Sequence, residues 1–368
     1  MAPLEGLLVL DFSTLLPGPM ASLMLAEAGA EVIKIEAPAG DAMRGYQPAW
    51  GESGAIFNQL NRGKRSLTLD LKTPEAREQV LELVQRADVL VEQFRPGVMD
   101  RLGLGYQALS AINPRLIYCS ITGYGQTGPR ALDAGHDLNY VAETGFLALS
   151  MGRAEQAVLP ATPIGDVGGG AYPAMINILL ALEERRRTGH GRQLDIAMSE
   201  NIFTFAYWAL ASGFSTGRWP GNGTDLVTGA SPRYRVYATR DGAGLVVAAL
   251  EEKFWATFCE LIGLPAAWRD DSRDPAGTLA EITRLIGAED AAFWDTKFAG
   301  SDCCCSLVRS MEEAVRDPHF KARGVFAAEV TNERGERMPA LPMPIVPGLR
   351  SAPDEPRPAP SARSGTSS

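Results

Sequence analysis

Residues 7–36 read LLVLDFSTLLPGPMASLMLAEAGAEVIKIE. Leu7 to Phe12 is a short apolar run of strand character. Pro19 to Ala28 is built from good helix formers, and Gly29 follows it as a C-cap. Glu31 to Glu36 alternates as a strand does. A strand, a helix and a strand in so short a span predict a parallel pair joined by a right-handed crossover. The pattern recurs. Thr73-Pro74 supplies a cap residue and a first-turn proline, and Ala76, Val80, Leu83, Val84 and Ala87 share one apolar helical face. Val89 to Val91 and Leu116 to Ile121 follow as strands. The layout is α/β, a doubly wound parallel sheet.

Further on, Asp166 to Gly170 (DVGGG) precedes a strong helix that runs to about Arg187, a turn (TGHGR) and a strand, Gln193 to Met198. Residues 212–232 are rich in Gly, Ser, Thr and Pro and read as a crossing linker. Beyond them Arg235 to Ala238 and Gly244 to Leu250 form a β-pair, with helices at 252–262, 275–287 and 289–298. The expected organisation is a large α/β domain over 1–190, connecting segments over 191–230 and a smaller α+β domain over 231–328. A return to the large domain follows over 329–350. The stretch 351–368, dominated by Pro, Ser, Ala and Arg, reads as a disordered tail. No internal repeat is present.

Composition narrows the function classes. In 368 residues, 45% are hydrophobic and 21% charged, enough apolar surface for a sizeable core. Asp plus Glu number 44 against 35 Lys plus Arg, so the chain lacks the basic footprint of a nucleic-acid binder, though a local basic patch can still hold an anion. Cys119, Cys259, Cys303, Cys304 and Cys305 are odd in number and contain no CxxC, which disfavours a disulfide framework or a zinc site; the run 303–305 reads as small buried hydrophobes. There is no signal-peptide pattern and no apolar stretch long enough to span a bilayer. A soluble cytoplasmic enzyme is the expectation.

Chemistry must come from few residues. Of the three histidines, His190 reads as an exposed turn residue and His319 as a structural one. His136, in AGHD before a helical stretch, is the candidate base, because a helix start favours the neutral imidazole. Asp166 stands before three glycines at the opening of a long helix. It is either an ordinary N-cap or a reactive carboxylate beside backbone that can approach a ligand. Arg62-Gly63-Lys64-Arg65 and Arg95, with Arg101 one turn on, could hold a phosphate-bearing ligand near strand ends. Neither GGG nor the first βα turn, LLPGP, is the dinucleotide fingerprint, so a nicotinamide cofactor is disfavoured.

Together these stretches resemble the class III CoA-transferase family, of CaiB/BaiF type. Seven ordered motifs carry the resemblance: GAEVIKIE (29–36), RGKRSLTLDLK (62–72), FRPGVMDRLGLG (94–105), GYGQTGP (123–129), GHDLNY (135–140), GDVGGG (165–170) and DPHFKARGVF (317–326). The resemblance spans residues 1 to about 345. Within the family the chain is most similar to the α-methylacyl-CoA racemases, since His136 matches their added histidine.

The resemblance implies a large CoA-binding α/β domain, a small domain and an interlocked homodimer whose site lies between subunits. It implies an acyl-CoA thioester as substrate, no separate cofactor, no metal, and neither nucleic acid nor membrane as partner. It assigns catalysis to His136, Asp166 and Glu251, the last followed by Glu252 where the racemase pattern has proline. His136 and Asp166 would exchange a proton with the acidic α-carbon, and Glu251 would orient the imidazole. Arg62, Arg65 and Arg95 would meet the CoA phosphates. Tyr124, Gly125, Gly168 and Gly169 would lie against the substrate, with backbone N–H groups of the glycine run or the GYGQTGP turn facing the enolate oxygen. Two alternatives remain at this level: a CoA-transferase with Asp166 as nucleophile, and an idle CoA-ester-binding protein.

Overall fold

A computed structural model describes residues 2–351 and 355–361 and divides the chain into two compact units. The first comprises the chain up to Thr144, Pro160–Phe205, and the chain from Pro318 onward; the second comprises Gly145–Leu159 and Ala206–Asp317.

The first unit is built on a six-stranded sheet. Its strands are β1 (Leu8–Asp11), β2 (Glu31–Glu36), β3 (Arg65–Thr68), β4 (Val89–Glu92), β5 (Ile117–Thr122) and β6 (Gln193–Ala197). They pair in parallel throughout, in the order β3-β2-β1-β4-β5-β6. All of β1, β4 and β5 is buried, as central strands covered on both faces must be, which is why their sequences are continuous apolar runs. The order reverses between β1 and β4. That switch point leaves a crevice beyond the carboxyl ends of those strands.

Helices α1 (Pro17–Glu27) and α2 (Pro74–Val84) both open on proline, and Thr73 Oγ1 accepts the Ala76 N–H at 3.3 Å. Gly29, at φ +103°, takes the left-handed conformation that ends α1. On α2, Ala76, Val80 and Val84 are buried against Leu10 and Leu90 of the sheet.

A buried ionic network braces the turn between β1 and α1. Asp11, at the end of β1, accepts from Ser13, from Ser22 Oγ at 2.5 Å and from Lys64 Nζ at 3.1 Å. Lys34 Nζ pairs with Asp41 at 2.9 Å and donates to the Ser13 carbonyl at 2.7 Å. Burial acts to raise the Asp11 carboxyl, but Lys64, Lys34 and the two serines outweigh it and hold it well below the usual carboxylate range. Burial lowers the Lys64 ammonium to about 8.

The second unit carries an antiparallel sheet of β7 (Tyr234–Ala238), β8 (Gly244–Ala248) and β9 (Cys305–Leu307) in the order β9-β8-β7. Preceding it in the chain is α6 (Tyr207–Thr216); following β8 are α7 (Glu252–Leu261), α8 (Pro275–Ile286) and α9 (Ala291–Phe298). Trp255, Phe258, Ile282 and Trp294 pack with Leu245 and Val247 as its core. The linker expected from residue 212 begins only after α6. The run YWALAS in that helix favours helical backbone until Gly217, at φ +71°, stops it.

The last part of the chain forms a small sheet of β10 (Glu329–Thr331), β11 (Arg337–Pro339) and β12 (Arg357–Pro358). This corrects the expectation of a tail without structure from residue 351. Val330 and Thr331 pair with Arg357 and Pro358, Gly63 N–H donates to the Pro358 carbonyl at 2.8 Å, and Arg44 Nη1 donates to the Pro360 carbonyl at 3.1 Å. Backbone donors and the half-buried Arg44 capture a proline-rich strand that cannot form a core of its own. The parts of that expectation falling on 352–354 and 362–368 lie outside the described residues. No helix among the described residues is long and apolar enough to cross a membrane.

Candidate active site

The crevice predicted by the strand order is a cavity of about 310 Å³. Leu15 and Pro17 line it after β1, Gln93 to Pro96 after β4, Gly123 and Tyr124 after β5, and Met198 after β6. Two further elements bring in the chemistry. The loop Ala131 to His136 and the helix α3 (Asp137–Glu143) contribute His136 and Tyr140, and the segment 165–171 contributes Asp166. His136 and Asp166, thirty positions apart, therefore face one cavity.

His136 is the N-cap residue of α3, and its N–H donates to Asn139 Oδ1 at 3.0 Å. His136 is exposed and lines the cavity. Asp166 opens a turn of π-helix, Gly165–Ala171, which feeds the long helix α4 (Tyr172–Thr188). Wide π turns displace a residue from the regular helical ladder and recur at functional sites. Asp166 is half-buried, and its carboxyl is pushed up to about 7, chiefly by burial and then by the nearby Asp137 carboxylate. The link between the two elements is direct: Asp166 N–H donates to Asp137 Oδ1 at 3.0 Å.

The glycine run proves to serve packing. A Cβ at Gly169 would collide with the Met198 carbonyl of α5 (Met198–Ile202), one at Gly170 would meet Pro17 at 3.0 Å, and one at Gly168 would meet the Phe205 ring at 2.6 Å. Gly168 and Gly169 do not line the cavity; they let the π turn press onto α5 and α1 so that Asp166 does.

Tyr124 lines the cavity. Its ring meets Tyr140 edge-on at 5.2 Å, its hydroxyl donates to Glu143 Oε2 at 2.5 Å, and the Arg130 guanidinium lies 4.1 Å above it. Gly125, at φ +87°, turns the chain; its N–H donates to Thr122 Oγ1 at 3.0 Å, and that of Gln126 to Asp195 Oδ2 at 2.9 Å. Those two donors are engaged internally, so Gly125 is a turn residue and not an oxyanion donor. Gly123 and Gly135 are small because Tyr140 fills their Cβ positions, and Tyr140 Oη donates to the Gly135 carbonyl at 2.5 Å.

The arginines separate. Arg95 is exposed at the cavity and pairs with no carboxylate among the described residues. Arg62 is buried; it donates to Glu27 Oε1 at 3.0 Å and to the carbonyls of Gln59 at 2.6 Å and Leu341 at 2.8 Å. Arg65 begins β3 and pairs with Glu31, the first residue of β2, at 2.9 Å. It thus stands at the amino end of a parallel sheet, opposite the crevice. Of the three, Arg95 follows a strand and lines the crevice, while Arg62 is buried in ion-pair and carbonyl contacts and Arg65 stands at the opposite end of the sheet.

Glu251 belongs to the second unit, as the N-cap residue of α7. Arg233, also in that unit, is bound by Asp271 at 2.7 Å and Glu252 at 2.9 Å and lies 4.6 Å over the Trp255 ring. Cys303 is buried and Cys305 half-buried, but Cys304 is exposed at φ +52°, so the reading of all three as core hydrophobes holds only in part. His190 and His319 are exposed, the latter edge-on to Phe320. Asp137 and Tyr140 were not singled out as site residues from the sequence, although both lie within GHDLNY, at the positions one and four after His136. No group of His, Cys, Asp and Glu able to hold a metal occurs among the described residues. A larger cavity of about 480 Å³ between α1, α4 and residues 344–349 is lined almost wholly by apolar side chains and offers no acid–base pair.

The sequence matches CoA-transferase family III over residues 4–362. It is 33% identical to the human α-methylacyl-CoA racemase, over 95% of this chain and 90% of that protein. It is also 33% identical to the acetyl-CoA:oxalate CoA-transferase of Acetobacter aceti, over 98% of this chain and 92% of that one. The fold superposes on a CaiB/BaiF family protein from Brucella suis with a TM-score of 0.83 at 29% identity, covering 98% and 96% of the two chains.

Proposed function

The chain belongs to CoA-transferase family III, and from that premise we propose that it racemises 2-methylacyl-CoA thioesters by 1,1-proton transfer. The observation that carries this reading is the pairing of an imidazole and a carboxyl on one cavity at the sheet's switch point. The α-proton of a thioester is weakly acidic, and its removal leaves an enolate. One group takes the proton from one face of the α-carbon, breaking the C–H bond. The other then gives a proton to the opposite face, re-forming C–H with inverted configuration, and the electron pair returns from the enolate oxygen to carbon. His136 and Asp166 exchange these roles according to which enantiomer binds.

The Asp166 carboxyl, raised to about 7 by burial and by Asp137, supplies both protonation states near neutral pH, as a group serving alternately as acid and base requires. A nucleophilic carboxylate needs only the ionised form, which the same environment also supplies near neutral pH. The transferase reading is supported by the equal identity to the Acetobacter aceti enzyme. In it, Asp166 attacks the thioester carbonyl, an acyl-aspartyl anhydride forms and CoA thiolate leaves. Glu251 is assigned to orienting the imidazole in a homodimer, and Arg95 to a CoA phosphate.

The test is incubation of one enantiomer of a 2-methylacyl-CoA in deuterated water. Recovered substrate carrying α-deuterium and inverted configuration is expected, and His136→Ala should lower the rate by about 10²–10⁴-fold. Unlabelled substrate, together with an Asp166 acyl adduct trapped by hydroxylamine, would replace the racemase with the transferase.

A further inference from the structure

Asp137 has no role in the proton transfer just described, yet it touches both halves of the site. It is the first residue of α3, directly after His136, and its Oδ1 accepts the Asp166 N–H at 3.0 Å. The Gly165 N–H also bonds to its carboxylate. A Cβ at Gly165 would lie 2.9 Å from Asp137 Oδ1, so this position admits only a residue without a side chain if the carboxylate is to reach the backbone. The histidine-bearing helix and the π turn are thus fastened at the point where both meet the cavity. A backbone N–H is a donor that any acceptor can satisfy, and a neutral amide or hydroxyl would hold the turn equally well. What a carboxylate adds is a negative charge beside the Asp166 carboxyl.

We propose that Asp137 is a positioning residue that sets the proton affinity of Asp166: it fixes the turn through the backbone and, by its charge, favours the protonated carboxyl. The proposal rests on the assignment of Asp166 as a proton carrier. The ionisable groups that line the same cavity are Arg95, Tyr124, Asp133, His136 and Tyr140. From α1 and α5 the lining is Pro17 and Met198, which carry no charge. Asp137 is the carboxylate fastened to the Asp166 backbone, and it is the charged group that acts with burial to raise the Asp166 carboxyl. Burial raises the Asp137 carboxyl itself, and the N–H bonds from Asp166 and Gly165 oppose that rise in part.

The experiment compares wild type, Asp137→Asn and Asp137→Glu. Asn keeps an acceptor for the Asp166 N–H and removes the charge; Glu keeps the charge. Asp166 is labelled with a water-soluble carbodiimide and an amine across pH and quantified by peptide mass spectrometry. The midpoint of labelling is expected to fall by about half to one pH unit in D137N and to stay near wild type in D137E. In α-deuterium exchange, the limb assigned to Asp166 should move by the same amount, with kcat altered more than KM. If D137N does not fold, Asp137→Ser supplies a second neutral acceptor. Equal midpoints in wild type and the neutral variant overturn the proposal. Because the labelling midpoint needs no turnover, failure of the racemase reading shows separately, as absence of exchange in the wild type.

Discussion

Gly169 lies directly against the carbonyl oxygen of Met198, with no room between them for a β-carbon. The contact fixes the depth to which the π turn carrying Asp166 sinks onto α5. It also explains why three glycines occur in a place where they weaken helix formation. Gly169→Ala is expected to destabilise the protein by about 1–3 kcal/mol and to abolish activity, because backbone on both sides must separate. Gly168→Ala should be milder, since the Phe205 ring that it meets is a side chain. Thermal melts of the two variants check this, and a G169A melt equal to wild type would refute the packing account.

Two carboxyls, the buried Glu92 and the half-buried Asp166, should erode stability as pH rises. Asp166 and Glu92 are both raised to about 7 in the folded chain, first by burial; at Glu92 the Ser120 hydroxyl and the Phe94 N–H oppose the rise. Unfolded, both ionise near 4. Between about pH 4 and 7 the native state therefore binds more protons than the unfolded state, and the stabilising contribution present at pH 4 is lost by pH 7. Asp166→Asn and Glu92→Gln should melt above wild type at pH 8, with the gap closing toward pH 5. Tm measured across that range tests the sign: a D166N variant that gains as pH falls would contradict it.

The Arg130 guanidinium, over the Tyr124 ring and bound to Glu143 at 2.6 Å and Asp133 at 3.1 Å, ties the loop before His136 to the turn after β5. All four groups are at or near the surface, so removing the arginine should leave the melting temperature almost unchanged. Arg130→Ala is expected to lower kcat several-fold through misplacement of His136, and Arg130→Lys to restore little, because a point charge does not stack as a planar fork does. Steady-state kinetics of both variants decide the matter.

The parallel sheet was legible because its strands are short apolar runs separated by capped helices, and local patterns of that kind specify parallel pairing almost by themselves. His136 and Asp166 were legible as candidates because few residues in the chain can move a proton. What the sequence did not reveal depends on contacts between distant segments. Nothing around Arg62 shows that Glu27 and the Leu341 carbonyl would bury it. Nothing in GGG tells a ligand's approach from that of Met198. A proline-rich ending carries no period, so its capture by β10 could be seen only once Gly63 and Arg44 were placed.

The fate of the two arginines separates packing from binding. Arg62 donates to Glu27, Gln59 and Leu341, joining α1 to the returning chain in a site where its charge is buried. Burial lowers its guanidinium, and Glu27 offsets this. Arg62→Ala would leave the Glu27 carboxylate buried without a partner, which costs about 3–5 kcal/mol in such pairs. The Tm should fall steeply, while folded R62A keeps a KM for acyl-CoA near that of wild type. Arg95→Ala should do the reverse, raising KM severalfold with the Tm unchanged, since its exposed guanidinium pairs with no carboxylate among the described residues. Titration of each variant with CoA, beside its melting curve, checks the pair. Were R62A stable but unable to bind CoA, Arg62 would be a phosphate ligand and not a packing residue.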